Sequence, residues 1–81
     1  MGPSRQVLVV LNILARGAVR REAVRGLFGG APGAFEETLV EAGSLIRRYP
    51  RQYGDGHPVW FLELTAEGVM ALADAGRAAR A

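Results

Sequence analysis

Arginine is the residue best equipped for chemistry in this chain. All ten basic residues are arginine, lysine is absent, and eight acids leave a net charge of +2. Such a small surplus permits nucleic-acid binding without demanding it, so placement matters more than the sum. Two clusters stand out: Arg20, Arg21 and Arg25, then Arg47, Arg48 and Arg51. A guanidinium presents a rigid fork of donors that matches phosphate or carboxylate oxygens. Competing partners are Glu22, close in sequence to Arg25, and Glu63, which a hairpin could bring opposite Arg48. Arg47, Tyr49, Arg51 and Tyr53 alternate at strand spacing, with Trp60 further on. Interleaved basic and aromatic residues can stack single-stranded bases. The alternative is that Tyr49 and Trp60 cap a small core, with Arg51 lying on the indole as a cation–π contact.

Catalysis finds little support. His57 is the single histidine and cysteine is absent; no Ser or Thr has a base at a readable spacing. His57, beside Pro58, reads as a loop residue. Glu36, Glu37 and Glu41 on one helix lack the further oxygen ligands a hard cation needs. Gly29–Gly33 lacks the Lys and Ser/Thr of a phosphate-binding loop, and reads as a turn. The expectation is a binding protein, not an enzyme, with no metal and no cofactor. With no disulfide, no secretory pattern and no membrane-spanning apolar run, the expected location is cytoplasmic.

These residues need a scaffold, and the 49% apolar fraction is enough for one modest core. Ser4 caps a helix to Arg16 that Gly17 terminates, with Val7, Leu8, Leu11, Leu14 and Ala15 on one inward face; the run Val7–Leu11 also suits a strand. Ala18–Arg20 allows a connector or a one-bridge strand. Arg21–Phe28 reads as a second helix with Val24, Leu27 and Phe28 inward, and Ala34–Ala42 as a third with Phe35, Leu39 and Ala42 inward. The period then becomes extended over Leu45–Tyr53 and Val59–Leu64, around Gly54–Pro58, a hairpin signal. A turn centred on Asp55-Gly56 sets Arg51 opposite Trp60, Tyr49 opposite Leu62 (an inward pair) and Arg48 opposite Glu63; one more loop residue would reverse the faces. Thr65 caps a last helix from Ala66 to about Ala79, with Val69, Leu72, Ala73 and Gly76 inward.

The order is helix, helix, helix, hairpin, helix, with the phrases Gly43-Ser44-Leu45-Ile46-Arg47-Arg48 and Leu62-Glu63-Leu64-Thr65-Ala66-Glu67-Gly68 on either side of the hairpin. This resembles the wing and post-wing helix of MarR-type and PadR-type bacterial regulators, over about two-thirds of the chain; Ser44 is an insertion relative to their pattern, and their long dimer-building flanking helices are missing. The resemblance implies an α+β, mainly α, winged helix-turn-helix domain over residues 1–81: a three-helix core, a two-stranded wing and a C-terminal helix. It also implies a transcriptional regulator that binds double-stranded DNA. Its third helix would enter the major groove with Glu37, Thr38 and Glu41; Arg20, Arg21, Arg25, Arg47, Arg48, Arg51 and His57 would contact the duplex from helix two and the wing. Acidic residues on that helix oppose phosphate. They favour a second possibility, a protein-interaction module using the acidic third helix and the apolar first helix.

Helix one carries more aliphatic residues than one buried stripe needs. Val9, Val10 and Ile13, joined by Val69 and Leu72 of the last helix, are therefore expected to form a homodimer interface.

Overall fold

The computed structural model describes residues 2–80. Its elements are α1 (Arg5–Ile13), β1 (Val19–Arg20), α2 (Arg21–Phe28), α3 (Ala34–Ala42), a 3-10 turn (Gly43–Leu45), β2 (Ile46–Arg51), β3 (Val59–Leu64) and α4 (Ala66–Arg80). The result is a small α+β domain, mainly helical, with four helices and a three-stranded antiparallel sheet ordered β1-β3-β2. Among the described residues no helix is long and apolar enough to cross a membrane.

Local chemistry sets the helix ends. The Ser4 hydroxyl accepts from the Val7 amide at 3.3 Å and starts α1. That helix closes at Ile13, one turn before the expected Arg16, because Leu14–Arg16 tighten into turns and the Gly17 amide donates back to Leu14 at 3.1 Å. Gly29 takes a positive φ after α2, and Gly33 another before α3, so the short turn between these helices is glycine-built. Both helices have the expected bounds.

One core joins the helices to the sheet. Val10, Leu14, Val24, Phe35, Leu39 and Leu62 form its larger part; Val7, Leu11 and Ala42 form a smaller part beneath α4. Several expected inward faces turn out to be rotated. On α1, Val10 is fully buried and Ala15 exposed, since Val7, Val10, Leu11 and Leu14 make the inward stripe. On α2, Leu27 is 70% exposed while Val24 and Phe28 pack inward. On α4, Val69, Ala73 and Gly76 face out; Gly68, Ala71, Leu72 and Ala75 turn toward the body at helical spacing.

The sheet gains a strand over the expected hairpin, because Val19 and Arg20 pair with Leu62 and Phe61. Register differs by one residue. Arg51 lies opposite Val59, Pro50 opposite Trp60, Tyr49 opposite Phe61, Arg48 opposite Leu62 and Arg47 opposite Glu63. The cause is the turn. The Gly56 amide bonds to the Tyr53 carbonyl at 3.4 Å, and the positive φ falls on Gly54, so Gly54-Asp55 and not Asp55-Gly56 occupy the corner. The Gln52 side-chain amide donates to the carbonyls of Gly54 and Gly56 and closes the loop. A one-residue slip sends each side chain of β2 opposite a different partner.

Candidate nucleic-acid interface

Which face of the sheet meets solvent follows from the core. Val19, Ile46, Leu62 and Leu64 pack toward the helices, so Arg20, Arg47, Tyr49, Arg51, Phe61 and Glu63 share the opposite face. There they form a ladder. The Arg47 Nε donates to Glu63 Oε1 at 2.6 Å, and its guanidinium carbon lies 5.1 Å from the Tyr49 ring centroid. Tyr49 stacks on Phe61 at 5.8 Å with 15° between the rings, and Arg51 sits 5.6 Å over Phe61. Arg20 flanks Phe61 from β1. Phe61 is only 9% exposed despite facing away from the helices. Its cover is this layer of side chains.

The arrangement has a chemical consequence. A guanidinium lying on a ring has already given up much of its rotamer freedom, yet its edge N–H groups stay available. Ordering such an arginine against an anion costs less than ordering a free one. Glu63 partly neutralises Arg47, which leaves Arg20 and Arg51 as the uncompensated charges of this face.

The expected pairings thus change partners. Arg47, not Arg48, pairs with Glu63, and Arg51 lies over Phe61, not over Trp60, both as results of the register. Tyr49 belongs to the outer ladder and Leu62 alone of that expected pair is inward. Arg25 and Glu22 form no ion pair; the acidic partner near α2 is Glu36, bound by Arg21. Arg21 also lies 5.4 Å over the Phe35 ring, so it ties α2 to α3 and is half-buried. Arg20, Arg25, Arg48, Arg51 and His57 are exposed.

On α3, Glu37 and Glu41 face solvent, with Val40, which is 78% exposed, beside them. Thr38 does not join them. It is buried and its hydroxyl donates to the Ala34 carbonyl at 2.8 Å, so it has no access to a ligand. Among the described residues no group of three acidic, His or Cys side chains is placed to hold a metal ion.

The expected dimer contact is similarly reduced. Val10 is committed to the monomer's own core, and Ile13 and Leu72 pack against it. Val9 remains exposed on α1, but among Arg5, Gln6, Asn12 and Arg16 it makes no apolar strip. Val69 is exposed on α4 beside Met70.

Phe61 and Val40 are the site residues that residue spacing did not single out. Phe61 sits in an apolar run, Val59–Leu64, where only the register tells the two faces apart. Neither a family model, nor a curated protein, nor a solved structure matches the chain.

Proposed function

We propose that this chain is a winged-helix DNA-binding module, acting in transcriptional regulation, that grips phosphate mainly through its hairpin. The observation that carries this is the outer sheet face, where Arg20, Arg47 and Arg51 are gathered around Tyr49 and Phe61. The element order and the sheet order β1-β3-β2 support a winged helix, with β2 and β3 as the wing. In this role Arg20 and Arg51 are the principal phosphate ligands, and Arg25 on α2 and Arg48 on the helix-facing side of the hairpin are further exposed cations. Arg21 is a structural clamp on Glu36. The acidic outer face of α3 argues for docking led by the wing, with α3 held away from phosphate.

Anisotropy titration of a fluorescent duplex at several salt concentrations tests this. The wild type should bind with a negative slope of log affinity against log salt. Changing Arg20 and Arg51 together to Ala should weaken binding and flatten that slope by about 0.9 for each lost contact. An unchanged slope removes the sheet face from the interface.

One observation favours a second reading. Val40 stands exposed beside Glu37 and Glu41, an apolar side chain on an acidic surface that suits a basic protein partner. Loss of a protein partner on Val40→Asp, with duplex binding absent throughout, would establish that reading instead.

A further inference from the structure

The helix-facing side of the hairpin extends past the core. There Arg48 pairs across the sheet with Leu62, and Trp60 with Pro50. A cleft between the start of α2 and this side is lined by Arg21, Arg48 and Trp60, and Arg48 also lines the adjoining depression with Leu39 and Val40. Trp60 is 46% exposed. Only Tyr53, in the loop after β2, shares this state among the described rings; those packed on the sheet and helices are covered. Phe28 packs on Phe35 and Tyr49 on Phe61, and Phe35, Tyr49 and Phe61 each have an arginine over the ring. Among the described residues no ring or guanidinium stacks on the indole. Arg48 in turn forms no ion pair among the described residues, whereas Arg21 is held by Glu36.

An uncovered indole beside an unpaired guanidinium is a combination that a nucleotide satisfies with both of its parts. We propose that this cleft takes one unpaired nucleotide, its base stacked on Trp60 and its phosphate held by Arg48. The inference rests on the nucleic-acid function proposed above and adds a preference for strands that carry an unpaired base. A base inside a duplex has both faces covered by its neighbours, so only an unstacked one can reach the indole. Arg21 forms the cleft wall and leaves the phosphate to Arg48, because Glu36 already neutralises it.

Trp60 is the only tryptophan, so its emission reports on the cleft directly. The experiment compares a fluorescein-labelled blunt duplex with the same duplex bearing a four-nucleotide single-stranded overhang, reading anisotropy and tryptophan emission together. The overhang should bind about tenfold more tightly and quench Trp60 strongly, in keeping with base–aromatic stacking. Trp60→Leu should abolish the preference while blunt-duplex affinity stays within twofold; Trp60→Phe should retain part of it. Arg48→Ala should lose most of the preference. Circular dichroism checks that each variant folds.

Blunt duplex and overhang bound equally, with no quenching, would overturn the nucleotide site and leave duplex binding by the outer sheet face intact. No binding to either DNA would overturn both. Quenching by an acidic, leucine-containing peptide but not by DNA would assign the cleft to a protein partner and overturn the inference.

Discussion

Gly68 lies against the backbone of Leu45 so closely that a Cβ on Gly68 would sit 2.0 Å from the Leu45 carbonyl oxygen and 3.0 Å from its carbon. The same oxygen accepts the Thr65 amide at 3.1 Å. The first turn of α4 is therefore pressed onto the 3-10 turn that leads into β2, and glycine at this position is a requirement of packing. Gly68→Ala should destabilise the domain by about 3 kcal/mol, the upper part of the usual overpacking range, although helix propensity alone predicts a gain of about 1 kcal/mol. Gly76→Ala, in the same helix with nothing within 4 Å of the added carbon, should show that gain. Urea unfolding of both variants decides the matter. Equal stabilities would mean that the close approach is absent in solution.

Thr65 joins the same two elements through its side chain. Its hydroxyl donates to the Ser44 carbonyl at 2.6 Å and accepts from the Gly68 amide at 3.1 Å. Thr65→Ala removes a helix cap and leaves the Ser44 carbonyl without this partner. The expected loss is about 1–2 kcal/mol. Thr65→Ser keeps the hydroxyl and should recover most of it in the same denaturant titration. A serine variant as unstable as the alanine one would move the effect to the lost methyl group.

Much of this fold was legible because local signals and core pattern agree. Gly29 to Gly33 separate α2 from α3, and Phe35, Leu39 and Ala42 mark the inward face of α3 at helical spacing. The sheet was harder. Val59–Leu64 is apolar on both faces, so alternation could not fix its orientation, and Asp55-Gly56 drew the turn one residue too far along. Only pairing shows that Gly54 takes the corner. Hence Arg47 and not Arg48 meets Glu63, and Phe61 becomes the centre of the outer ladder. On α1 and α4 the apolar and small residues spread over more than one face. A stripe cannot be told from its neighbour when both are greasy, which is why Val10, expected at an interface, lies in the core, and Val69, expected to face inward, is exposed.

The acidic face of α3 makes a prediction with a definite sign. Glu37 and Glu41 are exposed and form none of the ion pairs among the described residues. Changing both to Gln removes two negative charges from the field that an approaching duplex meets. Duplex affinity should rise several-fold at low salt, and the gain should shrink as salt is added. Anisotropy titrations at two ionic strengths read both effects. A fall in affinity would mean that these carboxylates accept hydrogen bonds from bases, placing α3 in a groove.

We propose a homodimer built on α4, since α1 spends Val10 and Ile13 on its own core. Val69 and Met70 are 55% and 65% exposed and adjacent. A groove beside them is lined by Leu64, Leu72, Ala73 and Gly76 with Arg77 and Arg80 on its rim; the groove on the other side of α4 carries Glu41 and Asp74. Asp74 is paired with Arg77 along the helix, so Glu41 and Arg80 are the charges left to the two grooves, and a two-fold contact lets each copy present both signs to the other. Burying Val69 and Met70 would contribute about 1.5–3 kcal/mol for each side chain. Light scattering after size exclusion at micromolar concentration should therefore report about twice the 8.7 kDa chain mass. Val69→Glu with Met70→Glu should give a folded monomer, because neither side chain belongs to the core. It should also lose affinity for a palindromic duplex more than for a single half-site. A wild-type monomer at high concentration would refute the dimer and leave α4 as a cover for the domain's own small core.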